Sequence, residues 1–147
     1  MKIALVTLGC PKNLVDAEVM MGLLYEAGHR FVDLSGRADV AVVNTCSFIS
    51  SAVAESRSVI EECLDLKARG DVGAVIVAGC LPQRYGERTF RMFPDVDGVV
   101  GCSDFESITG AVEAVERGER PFLVTEPTSL YEHRSPRILG SPSQLAY

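Results

Sequence analysis

Apolar residues along this chain form short continuous runs, separated by segments with helical spacing. The runs are Lys2–Val6, Val40–Val43 and Ala74–Ala78. Continuous apolar runs are typical of strands that are covered on both faces, and such strands belong to parallel sheets. Because strands alternate with helices, the pattern predicts an α/β fold. We expect an open, mostly parallel sheet of about five strands with helices on both faces.

Local signals predict where the other elements begin and end. The first helix is expected to have Asn13 as its N-cap and to stop at Gly28. A long helix is predicted from Ser50 to about Arg69, and Ser103–Glu106 is typical of a capping box that opens a last helix. The shorter predicted elements are a strand at His29–Leu34, a helix at Leu81–Phe93, a core strand at Gly98–Gly101 and an edge strand at Phe122–Val124.

Each of the three apolar runs is followed closely by a cysteine. These residues are Cys10, Cys46 and Cys80, separated by 36 and 34 positions. In a parallel sheet the carboxyl ends of all strands lie at one edge, where open α/β folds bind their ligands. The three thiols are therefore expected to converge in space although they are distant in sequence.

Composition limits the function classes that need to be considered. The chain has 147 residues, of which 47% are apolar, so a single domain with its own core is expected. A net charge of −6 argues against non-specific nucleic-acid binding, and no direct nucleic-acid contact is predicted. No apolar run approaches the ~20 residues of a membrane span, and no signal-peptide pattern opens the chain. We therefore predict a cytoplasmic protein whose cysteines are free, metal-bound or catalytic.

Three convergent thiols are compatible with several kinds of site. Structural zinc usually takes cysteines in closely spaced pairs, and neither His29 nor His133 follows a core strand. Thioredoxin-type exchange needs a C-x-x-C motif, which the chain lacks. A [4Fe–4S] cluster fits better, because it normally takes four thiolates and three would leave one iron open. The alternative that all three cysteines are structural stays open at this point.

Two more cysteines are placed outside this predicted site. Cys63 falls on the apolar stripe of the long helix, so it is expected to be a small buried hydrophobic residue. Cys102 follows the strand containing Val99 and Val100 and should therefore lie on the same sheet edge. We interpret it as a partly buried spectator thiol, with a disulfide to one of the three site cysteines as the alternative.

Polar residues next to the cysteines are candidates for a supporting role. Asn13, Asn44 and Thr45 could orient the backbone or the cluster sulfurs through hydrogen bonds. They are equally compatible with helix caps and turns.

The cysteine segments resemble the motifs of the N-terminal domain of the methylthiotransferases, a branch of the radical-SAM enzymes. The matching segments are Leu8–Glu18, Asn44–Ile49 and Ala78–Arg84. The resemblance implies that Cys10, Cys46 and Cys80 hold an auxiliary [4Fe–4S] cluster. It also implies that residues 1–120 form this N-terminal domain and that 121–147 are a linker toward a radical-SAM domain. That second domain would bring S-adenosylmethionine and a second [4Fe–4S] cluster, so this chain alone is not expected to catalyse.

The first motif also favours one branch of the family. Pro11-Lys12-Asn13 followed by Val15-Asp16 resembles the enzymes that methylthiolate the β-carbon of an aspartate in a small-subunit ribosomal protein. The implied partners are therefore that protein and the chain's own radical-SAM domain. Alternatives are the tRNA-adenosine branch, a cluster-free flavodoxin-like binding module, and a docking domain without a cluster.

Overall fold

The structure, a computed structural model, describes residues 1–126 and residue 138, and its centre is a six-stranded parallel sheet. The elements in chain order are β1 (Lys2–Thr7), α1 (Pro11–Glu26), β2 (Arg30–Phe31), β3 (Ala38–Thr45), α2 (Ser50–Ala68), β4 (Val72–Gly79), α3 (Cys80–Tyr85), α4 (Arg88–Met92), β5 (Gly98–Gly101), α5 (Ile108–Glu116) and β6 (Phe122–Leu123). The strand order across the sheet is β2-β1-β3-β4-β5-β6, and every pairing is parallel.

The predicted α/β fold is confirmed, with six strands instead of about five. The two-residue strands β2 and β6 lie at the two edges of the sheet. The edge strand predicted at Phe122–Val124 is observed at Phe122–Leu123. The strand predicted at His29–Leu34 is shorter in the structure and comprises only Arg30–Phe31. Three of the four inner strands, β1, β3 and β4, correspond to the continuous apolar runs, because only strands covered on both faces can be apolar at every position.

Alternate residues of the inner strands point to opposite faces, and each face carries helices. Val40 and Val42 belong to a core with Met20 of α1 and Ile108 of α5. Their neighbours Ala41 and Val43 belong to a second core with Ile60 and Cys63 of α2 and Leu81 of α3. Cys63 has no exposed surface, which confirms its prediction as a buried hydrophobic residue. None of the helices in the described part of the chain is long and apolar enough to span a membrane.

Two local predictions were wrong at their boundaries. Helix α1 begins at Pro11 with Cys10 as its N-cap, so Asn13 lies inside the helix and does not cap it. Proline starts a helix readily because its fixed φ suits the first turn, where an amide donor is not needed. The helix predicted at Leu81–Phe93 is two helices, since Gly86 adopts φ +56° between them.

The helix predicted to begin at Ser103 starts later along the chain. Residues Phe105–Ser107 make a 3₁₀ turn instead, and α5 begins at Ile108 without a side-chain cap. Asp104 is engaged elsewhere, because its carboxylate accepts hydrogen bonds from the amide and the hydroxyl of Thr125 at 2.8 and 2.7 Å. This contact ties the loop before α5 to the chain that follows β6.

The predicted linker lies mostly outside the described residues, which exclude 127–137 and 139–147. Its one described residue beyond 126 is Ile138, whose amide donates to the carbonyl of Glu18 in α1 at 3.0 Å. The predicted boundary near residue 120 therefore stays a prediction.

Candidate functional site

Strand register brings the predicted cysteines to one edge of the sheet. Thr45 pairs with Gly79, and Gly79 pairs with Gly101. Cys46, Cys80 and Cys102 each follow one of these paired residues directly, so they leave the ends of adjacent strands at the same level. Cys10 comes from the neighbouring strand β1, where the amide of Leu8 still bonds to the carbonyl of Asn44 at 2.9 Å.

Two glycines allow the loops at this edge to approach each other closely. Gly9 has φ +95°, and a Cβ added there would lie 2.5 Å from the Cβ of Cys46 and 2.9 Å from its Sγ. Gly79 also has φ +95°, and its added Cβ would lie 2.6 Å from both Asn44 Oδ1 and the carbonyl of Thr45. Contacts this short exclude any side chain. The backbone preceding Cys10 therefore packs directly on Cys46.

Asn13 lies fully buried between the loops and bonds to three of them. Its Nδ2 donates to the carbonyls of Leu8 and Thr45, both at 2.8 Å. Its Oδ1 accepts a longer contact of 3.7 Å from the thiol of Cys80. Asn44 is also buried, and its Nδ2 donates to the carbonyl of Asn13 at 2.8 Å. These two residues hold the thiol-bearing segments in place.

Thr45 joins the next pair of strands. Its hydroxyl donates to the carbonyl of Ala78 at 2.6 Å and accepts from the amide of Leu81 at 3.2 Å. The side chain therefore satisfies a free amide in the first turn of α3, directly beside Cys80. Asn13, Asn44 and Thr45 were all predicted to have a supporting role, and each is hydrogen-bonded at the cysteine edge.

The four thiols at this edge differ in exposure and in protonation. Cys10 is exposed, Cys46 is buried, and Cys80 and Cys102 are half-buried; all are free thiols. A hydrogen bond between Cys80 and Cys102, together with burial, raises the pKa of Cys80 above its usual range. The same hydrogen bond, helped by the nearby ammonium of Lys12, lowers the pKa of Cys102 to about 6. Of this hydrogen-bonded pair, Cys102 is therefore the more readily ionised thiol.

Lys12 supplies positive charge to this edge. Burial lowers its pKa, but the hydrogen bond and charge of Asp16 outweigh that effect, and the pKa is raised overall. Its Nζ lies 2.8 Å from Asp16 Oδ2, and the Asp16 side chain is 2% exposed. Sequence reasoning missed this pair as part of the site. Its signal was the spacing of four residues on one helix, which places opposite charges in contact.

Three other side chains at the edge were not foreseen from the sequence. Ser56 of α2 is fully buried and bonds to both the amide and the carbonyl of Cys46, at 3.1 and 2.8 Å. Ser47 donates to the carbonyl of Cys80 at 3.1 Å, and Arg84 donates to the carbonyl of Ser47 at 2.9 Å. Because these contacts join distant segments of the chain, no local sequence pattern predicts them.

Within the described residues, the potential metal donors at this edge are mainly thiols, since the one described histidine, His29, contacts the amino group of Met1. Within residues 1–126 and 138, no group of three or more histidine, cysteine, aspartate or glutamate side chains could hold one metal ion. A single zinc ion needs all its ligands within about 2.0–2.3 Å of one point. The thiolates of a four-iron cluster bind different iron atoms, so the cluster prediction is not tested by this geometry. Soft thiolates are the ligand type that iron–sulfur clusters take.

Comparison with known proteins gives a consistent family assignment. Residues 2–101 match the Uncharacterized protein family UPF0004. The chain is 47% identical over its whole length to the "Ribosomal protein uS12 methylthiotransferase RimO" of Syntrophomonas wolfei, of which it covers 34%. The proteins of the same name from Heliobacterium modesticaldum and Pelotomaculum thermopropionicum are 45% and 43% identical over 100% and 99% of the chain. The chain covers 32% and 33% of these two relatives.

These matches cover all or nearly all of this chain but only part of each relative. The chain spans about a third of the length of the curated relatives it matches. The agreement covers all three cysteine segments, since it extends along the whole chain. The chain therefore belongs to the Uncharacterized protein family UPF0004, and it is similar to the N-terminal third of relatives named as RimO methylthiotransferases.

Proposed function

We propose that this chain binds an auxiliary [4Fe–4S] cluster through Cys10, Cys46 and Cys80 and serves a methylthiotransferase that modifies a ribosomal protein. The observation that supports this most is the placement of three thiols after three adjacent strands, in a chain 47% identical to a uS12 methylthiotransferase. In the complete enzyme the acceptor would be the β-carbon of an aspartate. When bound, such a cluster supplies an iron with an open position at which a sulfur atom can be held for transfer.

The chain's own residues are suited to holding thiolates at this edge. Cys10 is the N-cap of α1, a 16-residue helix, so its sulfur lies at the positive end of the helix dipole. Lys12 adds a cation next to Cys80. Asn13 and Asn44 fix the loops from which the thiols project, so little ordering is left to occur on binding.

The other parts of the reaction belong to regions outside this chain in the proposal. A radical-SAM domain would bring S-adenosylmethionine and a second [4Fe–4S] cluster, and the enzyme would work in the cytoplasm. The isolated chain would therefore bind its cluster without catalysing transfer. The names of the relatives favour the ribosomal-protein branch over the tRNA-adenosine branch.

Anaerobic reconstitution with ferrous iron and sulfide tests the cluster directly. We expect about four iron and four sulfide per chain, with the absorption spectrum of a [4Fe–4S] cluster. Cys80→Ala should abolish incorporation, because it removes one of three ligands. Cys63→Ala is the matched control, since it removes a thiol from the core away from the sheet edge and should leave iron content unchanged.

Two outcomes would contradict the proposal. One is iron incorporation by folded Cys80→Ala equal to that of the unchanged chain. The other is a folded chain that takes up one zinc ion with higher affinity than it assembles iron and sulfide, which would indicate a structural zinc site. Circular dichroism of each variant shows whether it is folded.

A further inference from the structure

Four exposed arginines surround Tyr85 on the surface next to the cysteine edge. Arg57 comes from α2, Arg84 from α3, and Arg88 and Arg91 from α4. Arg57, Arg88 and Arg91 line one groove with Tyr85 and Met92, with a volume of about 420 Å³. We call this the arginine groove.

The arginine groove is a local concentration of positive charge on an acidic chain. Together with Arg84 it gathers four of the 14 lysines and arginines of a protein whose net charge is −6. Within the part of the chain that the structure describes, none of the four forms an ion pair. The nearest acidic residues along the sequence, Glu55 and Glu87, are exposed to solvent. Charge that is not neutralised by neighbours is available to an anionic partner.

Aromatic rings hold several of the guanidinium groups in place. The Cζ atoms of Arg84 and Arg88 lie 5.4 and 5.5 Å from the centre of the Tyr85 ring, and that of Arg57 lies 5.9 Å from the centre of Phe93. A guanidinium group stacked on a ring still presents its N–H edge outward, in the fork geometry that matches a phosphate. Less side-chain freedom is then lost when an anion binds.

An exposed apolar surface continues from the arginine groove toward the cysteines. Phe48 is 91% exposed and Ile49 is 55% exposed. With Val53, Arg84 and Tyr85 they line a second groove of about 410 Å³, so Tyr85 is common to both grooves. A phenyl ring this exposed offers a free face for stacking, which is how proteins hold unpaired bases.

We propose that these two grooves bind a short segment of single-stranded RNA. Arg57, Arg88 and Arg91 contact successive phosphates, and a base stacks on Phe48. Single-stranded RNA fits better than an acidic peptide because it provides both the anions and the planar partner for an exposed ring. The net charge predicts no nucleic-acid binding. Net charge is a property of the whole chain, however, and does not reveal a local cluster of arginines. The proposal does not depend on the iron–sulfur site.

Fluorescence anisotropy with labelled octauridylate tests the proposal on the metal-free chain. We expect the logarithm of the binding constant to fall linearly with the logarithm of the salt concentration. The slope should be about −2, which corresponds to about three phosphate contacts. The double substitution R88A/R91A should weaken binding at least about tenfold and reduce the slope by about 1.4. Phe48→Ala should weaken binding about tenfold with an unchanged slope, because it removes stacking and no charge.

A matched control separates the groove from general electrostatics. Arg30 and Arg37 are exposed arginines at the opposite, amino-terminal ends of β2 and β3. R30A/R37A makes the same change in net charge and should weaken binding less than about twofold.

Three results would overturn the proposal. The first is R30A/R37A lowering affinity as much as R88A/R91A, and the second is an affinity of Phe48→Ala equal to that of the unchanged chain. The third is polyglutamate competing as well as unlabelled octauridylate, which would indicate an acidic-peptide surface.

Discussion

The side chain of Asn44 donates a 2.8 Å hydrogen bond to the main-chain carbonyl of Asn13. Asn13 in turn donates its own amide to the carbonyl of Thr45, which follows Asn44 in β3. The two residues thus bind each other's segments reciprocally, between the first turn of α1 and the end of β3. Because both side chains are at most 1% exposed, no water replaces a lost partner.

Replacing Asn13 should therefore destabilise the whole domain. Asn13→Ala leaves the carbonyls of Leu8 and Thr45 without a donor at a buried position. We expect the free energy of unfolding to fall by about 2–4 kcal/mol, measured by urea denaturation of the metal-free chain. Asp33→Ala, in an exposed loop, is the control and should change it by less than about 0.5 kcal/mol. A loss below about 1 kcal/mol for Asn13→Ala would show that the asparagine network is not needed for folding.

Gly79 should tolerate no side chain, for two separable reasons. It adopts φ +95° and ψ −145°, and an added Cβ would meet Asn44 Oδ1 and the Thr45 carbonyl at 2.6 Å. We expect Gly79→Ala to cost about 3 kcal/mol or more, from strain and overlap together.

Two other glycines isolate these contributions. Gly28 has φ +90° but nothing within 4 Å of its added Cβ, so Gly28→Ala should cost about 1–2 kcal/mol from backbone strain alone. Gly110 lies exposed within α5, also with open space, and Gly110→Ala should stabilise by about 0.5–1 kcal/mol. Thermal or urea unfolding of the three variants gives the comparison. Equal effects at Gly79 and Gly28 would show that the loop at the cysteine edge can move aside.

Cys102 should react with alkylating agents at lower pH than an ordinary thiol. Its pKa is lowered to about 6, so the reactive thiolate forms as pH rises through that value. The alkylation rate by iodoacetamide, followed residue by residue by mass spectrometry, should be half-maximal near pH 6. Cys63 serves as internal control, because burial raises its pKa to about 11 and it should stay unmodified. Lys12→Ala should shift the Cys102 midpoint upward, and an unchanged midpoint would mean that Lys12 does not face the thiol.

Cys102 should nevertheless be dispensable for iron binding. The interpretation from sequence was a spectator thiol, and its hydrogen bond to Cys80 makes that interpretation worth testing. Cys102→Ser keeps a hydrogen-bonding group of similar size, and the iron content after reconstitution should equal that of the unchanged chain. A fall in bound iron would place Cys102 in the site with the other three cysteines.

The fold and the cysteine edge were accessible from sequence because their determinants are local. A strand covered on both faces must be apolar at each position, and a thiol that follows it must lie at the carboxyl edge. Asn13 shows where local reasoning stops, since its type and position suit an N-cap, but Pro11 begins the helix earlier. The amide of Asn13 instead bonds to Thr45, 32 residues away.

Contacts between distant segments explain the other differences. The helix start predicted at Ser103 is displaced to Ile108, and Asp104 bonds to Thr125 beyond β6. The arginine groove joins residues of α2 and α4 that are more than 30 positions apart, so net charge could not reveal it. Sequence patterns predict which elements form, and they carry little information on which side chains meet between elements.

The strand order has a consequence for how anything can approach the cysteine edge. The chain leaves β1 through α1, which belongs to one face of the sheet, and leaves β3 through α2, which belongs to the other. At such a topological switch point the two connections diverge, and a crevice opens between them. Cys10 follows the first of these strands and Cys46 the second, and the hydrogen bond from Asn44 to Asn13 joins the two segments. A group bound here would contact the segments that follow both β1 and β3. It would be accessible from beyond the strand ends, which is the direction from which a second domain would have to approach.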